Sequence, residues 1–208
     1  TLGEVSPLEF IGIAEESRMI LPIGSWVLRK ACAALAALNR KYQAKYFMAV
    51  NVSGMQLFVE GFVEEVLAVL AENDLAPEQL ELEITESILL SHECSTIQKL
   101  NTLFAHGVRI ALDDFGTGFS SLSLLKDLRI TTLKIDKSFV QDGKNTALLE
   151  MMVRLGHILG TQTVAEGVET EEQLHQARRL GSERVQGYFT ARPMPLSALK
   201  WFIEAHTE

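Results

Sequence analysis

Asn51, Glu83, Glu86, Asp113, Asp114, Asp136 and Glu166 are the residues of this 208-residue chain whose types and spacing are able to do chemistry together. Each stands near, at or just beyond the end of a short apolar run, and Lys134 and Gln186 stand in or near the ends of two of these runs. Six carboxylates gathered at one place cannot all stay ionised without compensation. Hard divalent cations, magnesium or manganese, are the natural compensation, because they prefer carboxylate, carbonyl and water oxygens. Asp113 and Asp114 are expected to diverge at a strand end and so to serve two ions. Two ions about 3.5–4 Å apart suit phosphodiester hydrolysis, in which water is activated and the leaving oxygen is held. Lys134 would position the water or neutralise phosphate charge. The plainer alternative for Lys134 is an ion pair with Asp136 or a neighbouring carboxylate. Asp113-Asp114-Phe115-Gly116-Thr117-Gly118 forms a short loop with two glycines, and Glu86 is placed to accept hydrogen bonds from its amides. That would make Glu86 an organiser of the loop rather than a ligand.

The elements that must position these groups are an alternation of strands and helices. Six strands are expected at Phe47–Val52, Leu80–Thr85, Val108–Asp113, Thr132–Asp136, Thr163–Gly167 and Arg184–Tyr188, from β-branched content and length. Their starts lie 33, 28, 24, 31 and 21 residues apart, which leaves room for a helix between each pair, as parallel strands require. Helices are expected at Pro22–Lys41, Phe62–Asn73, Ser95–His106, Thr146–Gly160 and Leu196–Ala205. Two more should begin at the capping boxes Ser6-Pro7-Leu8-Glu9 and Thr170-Glu171-Glu172-Gln173. An open doubly wound sheet concentrates its ligand residues at one switch point. A barrel gathers the C-terminal ends of all its strands around one mouth. One polar residue near the end of every strand therefore favours a TIM-type (β/α)8 barrel, of which six βα units are visible and two strands at the front are missing. Thr132, Lys134 and Asp136 would share the interior face, and Leu133 and Ile135 would pack on helices.

Composition narrows the partners. The chain is 47% apolar and 22% charged, an ordinary globular balance. The net charge of −8 argues against a general nucleic-acid binder, so no DNA or RNA binding is expected. Cys32 and Cys94 form no metal-binding pair, fit a reducing cytoplasm and read as small core residues. The longest apolar stretches, such as Ala31–Leu38, are well short of the roughly 20 residues a membrane span needs. No leader sequence is read at Thr1.

Several segments in order carry a resemblance: Ser6-Pro-Leu-Glu-Phe-Ile11, Ala49-Val-Asn-Val-Ser53, Leu82-Glu-Ile-Thr-Glu-Ser87, Asp113–Gly118 with Phe119-Ser-Ser-Leu122, Leu133-Lys-Ile-Asp136, Val164-Ala-Glu-Gly-Val-Glu-Thr170, Gln186-Gly-Tyr188 and Arg192-Pro-Met-Pro195. Over essentially the whole chain the sequence resembles the EAL-domain cyclic di-GMP phosphodiesterase family. The resemblance implies a barrel that uses magnesium or manganese, in a two-metal site, to hydrolyse cyclic di-GMP to linear pGpG in bacterial second-messenger signal transduction. By motif position Asn51, Glu83 and Asp113 would hold the first metal, and Asp114 would hold the second with Asp113. Glu166 would be a metal ligand and the general base, Lys134 would orient the water, Gln186 and Asp136 would line the site, and Glu86 would stabilise the loop. The Glu-Ala-Leu motif that names the family is not in the chain; in relatives it lies shortly before the segment resembling Thr1–Pro7. Residues 1–208 are therefore expected to be a single barrel domain, incomplete at its N-terminus. Phe119 stands where relatives often carry tyrosine. The family also implies a homodimer through helices near the loop after the third strand, and fusion to sensor or diguanylate cyclase domains in a parent protein that is cytoplasmic or membrane-anchored. A non-catalytic cyclic di-GMP receptor is the alternative, supported by the missing glutamate.

Overall fold

Apolar strands alternate with amphipathic helices along the computed structural model, which describes residues 5–90, 94–117, 127–141 and 146–206. In chain order the elements are α1 (Pro7–Glu16), α2 (Ile20–Tyr42), β1 (Met48–Asn51), α3 (Gly54–Phe58), α4 (Phe62–Glu72), β2 (Leu80–Thr85), α5 (Glu86–Leu90), α6 (Cys94–Ala105), β3 (Arg109–Phe115), β4 (Thr132–Ile135), α7 (Lys137–Gln141), α8 (Thr146–Leu159), β5 (Gln162–Ala165), α9 (Glu171–Leu180), β6 (Arg184–Val185) and α10 (Leu196–His206). The chain divides into two compact units, Thr1–Ile84 with Ser91–Arg109, and Thr85–Leu90 with Ile110–Glu208.

In the first unit β1 and β2 are parallel, with Asn51 opposite Glu83. Val50, Leu80, Leu82 and Ile84 are buried, as hydrophobic burial requires of a covered strand pair. Helix α2 is long and apolar enough to cross a membrane by length and composition, which the sequence had not suggested. Its apolar stripe of Leu28, Cys32, Leu35 and Leu38 is buried, and the helix packs on β1, α3 and α4. Cys32 is wholly buried, as expected of a small core residue, and burial pushes its thiol up to about 11. Lys99 of α6 donates to Leu57 O at 2.7 Å and Val59 O at 2.9 Å, satisfying carbonyls at the end of α3.

In the second unit β3–β4, β4–β5 and β5–β6 are all parallel. Leu112, Leu133, Ile135 and Ala165 are fully buried, and α8 packs on β4 and β5. The box at Thr170 forms: its hydroxyl accepts from Gln173 N, and Gln173 Oε1 accepts from Thr170 N at 3.0 Å. The box at Ser6 does not, since no side-chain bond caps α1; Pro7 opens that helix instead. An unread box, Ser53 with Gln56, starts α3. The short helices α3, α5 and α7 had no periodic signal long enough to be read. Strand β6 ends at Val185, three residues before the expected Tyr188. A Cβ on Gly187 would lie 2.1 Å from Val168 O, so the chain there is committed to a close backbone crossing rather than a pleat.

The lower end of β5 is anchored by a charged side chain. Fully buried Thr163 donates its N–H and its hydroxyl to Glu183 Oε2, both at 2.7 Å. His157 Nε2 lies 2.9 Å from Glu183 Oε1. Partial burial opposes ionisation of Glu183, but the Thr163 bonds, its own N–H and His157 outweigh it and hold the carboxyl below the usual range. A depressed folded value adds stability above the unfolded value of about 4.3, and that stability is lost as pH falls through the folded value. Glu183→Ala is expected to lower unfolding free energy by about 1–2 kcal/mol at pH 7, because Thr163 keeps two buried donors and the exposed side of the pair is screened. Urea denaturation should show the gap from wild type narrowing below about pH 4.

Candidate metal and active site

The second unit gathers its carboxylates through a defect in one strand. Ala111 pairs with Thr132 and Leu112 with Leu133, but Phe115 pairs with Ile135, so the register shifts between Leu112 and Phe115. Asp113 and Asp114 occupy that bulge, and Asp114 has φ +53°, a conformation aspartate tolerates better than most side chains. In a regular strand neighbouring side chains point to opposite faces. Here the extra residue turns Asp114 back, and the expectation that the two aspartates diverge is corrected: they converge. One carboxylate oxygen from each of Asp113, Asp114 and Glu166 lies within 4.8 Å of the other two.

Lys134 holds this cluster. It is 3% exposed, and its Nζ is 2.9 Å from Asp113 Oδ1 and 2.9 Å from Glu166 Oε1. The register explains the bridge: Lys134 pairs with Val164, and Glu166 follows two residues on, on the same face. Lys134 is thus paired with two neighbouring carboxylates, as the plainer alternative for it had it. Burial, then the charges of Asp113 and Asp136, raise the Asp114 pKa, against the pull of Lys134 and Lys137. Three converging hard oxygen donors, with one of them disfavoured as an anion, fit a divalent cation such as magnesium or manganese.

The other candidate residues fall as follows. Asn51 and Glu83 are partners on β1 and β2 of the first unit, Asn51 exposed and Glu83 buried. Glu86 is buried at the start of α5, and its Oε2 accepts from Gly116 N at 3.2 Å. Gly116 has φ +100°, and a Cβ there would come 2.4 Å from Met152 Cε and 2.8 Å from the Phe139 ring, so the turn tolerates only glycine. Asp136 does not end a strand. It caps α7, accepting from Ser138 N at 2.9 Å. Gly118 and Phe119–Leu122 lie outside the described residues. Asp114, Asp136, Glu166, Glu169, Gln186 and Tyr188 line a pocket of about 520 Å³. Of the lining residues, Lys137, Gln141 and Glu169 were not among the site residues read from the sequence. Reading strand ends missed them because they sit on a one-turn helix and a loop, where no periodicity marks them.

Lys134→Ala is expected to cost about 3 kcal/mol or more in stability, because it leaves Asp113 and Glu166 uncompensated. Added manganese should recover part of that loss, by compensating the same carboxylates, in thermal melts with and without metal.

A family model described as the EAL domain matches residues 1–193. An uncharacterized signaling protein of Caulobacter vibrioides is 44% identical over 209 residues, covering 99% of this chain and 25% of its own length. The bifunctional diguanylate cyclase/cyclic di-GMP phosphodiesterase MucR of Pseudomonas aeruginosa is 39% identical over 201 residues, covering 95% of this chain and 29% of its own. The cyclic di-GMP phosphodiesterase NbdA of the same organism is 39% identical over 210 residues, covering 99% of this chain and 27% of its own. The chain thus spans between a quarter and a third of the length of these curated relatives. Among solved structures, the c-di-GMP complex of the PaMucR phosphodiesterase superposes with TM-score 0.89 at 39% identity, covering 94% of this chain and 81% of that one. The EAL enzyme Bd1971 with cAMP and cyclic-di-GMP bound gives TM-score 0.90 at 34% identity, covering 96% of this chain and 56% of that one. The fold class is accordingly that of the EAL TIM-type barrel, and the chain belongs to the EAL domain family.

Proposed function

We propose that this chain hydrolyses cyclic di-GMP to linear pGpG in a metal-dependent reaction of bacterial second-messenger signalling. The observation that carries the reading is the Asp113–Asp114–Glu166 cluster bridged by Lys134, in a family whose relatives include named cyclic di-GMP phosphodiesterases. Magnesium or manganese, when bound, would supply Lewis acidity toward the scissile phosphodiester and toward water. Asp113, Asp114 and Glu166 would hold the metals, and by motif position Asn51 and Glu83 would be further ligands. Glu166 takes the proton of the attacking water as general base. Lys134, fixed by two carboxylates, orients that water. Gln186 lines the pocket, Asp136 fixes α7 beside it, and Glu86 holds the Gly116 amide and with it the turn that follows the two aspartates.

The test is chromatographic detection of pGpG from cyclic di-GMP with magnesium or manganese, against an EDTA control. Glu166→Gln should lower turnover by at least about a thousandfold while ligand binding stays measurable by calorimetry. Near-normal turnover in that variant would remove its role as base.

The reading extends to a homodimer. Helix α8 exposes Met151 (55%) and Ile158 (81%) beside an apolar groove bordered by Phe115, Met152 and Leu155, more apolar surface than a free helix face normally shows. In the cell we place the domain in the cytoplasm, within a longer protein carrying sensor or diguanylate cyclase domains. Sedimentation should give a dimer, and Ile158→Glu should shift it toward monomer; an unshifted dimer would move the interface elsewhere.

A further inference from the structure

Gln141, the last residue of α7, reaches the segment that carries Glu166. Its Nε2 lies 3.3 Å from Gly167 O and 3.3 Å from Glu169 Oε1. Sheet bonds fix that segment on either side of Gly167. Glu166 N donates to Ile135 O at 3.0 Å, and Val168 N donates to Gln186 O at 3.1 Å. Between these two bonds Gly167 turns through φ +66°, and a Cβ there would lie 2.3 Å from Lys137 Cβ, the first residue of α7. Glycine is the most permissive backbone, so two terminal bonds leave the intervening peptides free to rotate. Helix α7 limits that freedom at both its ends: Lys137 leaves no room for a side chain at Gly167, and Gln141 donates to the Gly167 carbonyl. The helix is in turn pinned by the Asp136 cap.

We propose that Gln141 is a positioning residue for Glu166: through Gly167 and Glu169 it holds the peptide that aims the Glu166 carboxylate at Lys134 and Asp113. This rests on the phosphodiesterase reading for its kinetic consequence, but not for its effect on metal affinity. Gln141 is exposed, so removing its amide disturbs aim far more than fold. A displacement near 1 Å in a reacting group costs up to about a hundredfold in rate.

The experiment uses the full chain with Gln141→Ala, the near-isosteric Gln141→Met, and Gln141→Lys, which keeps a donor. Manganese alone is titrated by calorimetry, and kcat and KM are measured with cyclic di-GMP. In the Ala and Met variants kcat should fall about tenfold or more with KM within about twofold, manganese affinity should weaken severalfold, and the melting temperature should stay within about 2 °C of wild type. Gln141→Lys should recover most of both losses. Unchanged manganese affinity in both the Ala and Met variants overturns the proposal, as does a loss matched by a fall in melting temperature in both. If wild type shows no turnover, the phosphodiesterase reading fails, and the manganese titration still decides the role of Gln141.

Discussion

A lysine ammonium buried between two carboxylates is the constraint on which the second unit depends. Lys134 is nearly inaccessible, and Asp113 and Glu166 each approach it at 2.9 Å. Each of these charges is costly to bury alone. Together they are tolerable, but only in one registration of three parallel strands. Leu112 opposite Leu133 brings Asp113 beside Lys134, and Val164 opposite Lys134 brings Glu166 two residues further along the same face. A slip by one residue in either pairing would send a carboxylate to the helix-covered side. The ion triad thus specifies the alignment of β3, β4 and β5 at least as much as it stabilises them, and any chemistry at this place inherits that alignment.

The bulge at Asp113–Asp114 adds what a regular ladder cannot. With strict alternation, three strands would offer Asp113, Lys134 and Glu166 to one side, and Asp114 would face away. The inserted residue brings in a second aspartate, at the cost of a left-handed backbone at Asp114 and of mutual repulsion. The raised Asp114 pKa, from burial first and then from Asp113 and Asp136, records that cost. Glu86 and Gly116 support the bulge from beyond the strand: a carboxylate binds the Gly116 amide, and a residue without a side chain lets Phe139 and Met152 close underneath. The geometry is strained locally and braced by its neighbours, which is where a binding site for a compensating cation is expected.

How much of this was legible in the sequence follows from the range of each signal. The strands were visible because short apolar runs alternate with helical stretches, and the box at Thr170 because its residues and spacing are local. The polar residue near each strand end was visible too, and it led to the barrel class that the related structures share. The bulge was not legible, since Asp-Asp at a strand end reads the same with or without a register shift; only the partner strand reveals it. Asp136 read as a strand residue because nothing in Ile135-Asp136-Lys137 marks the change from pleat to cap. Ser6 read as a cap because its sequence context is right, yet Pro7 alone starts that helix. Residues on α7 escaped notice because five residues are too few to show a period.

The chain carries −8 overall, and Asp114, Asp136, Glu166 and Glu169 all border the pocket, so an anionic dinucleotide would meet a repulsive field at long range. Lys134 cannot reverse this, being already committed to two carboxylates. Lys137, exposed at the same pocket, offsets one charge at most. Among the described residues at this pocket the acidic side chains outnumber the basic ones, and a divalent cation would change the local sign. On the proposed reading, the acidity that would exclude phosphate from the bare site would also concentrate metal there, so metal would precede or accompany substrate.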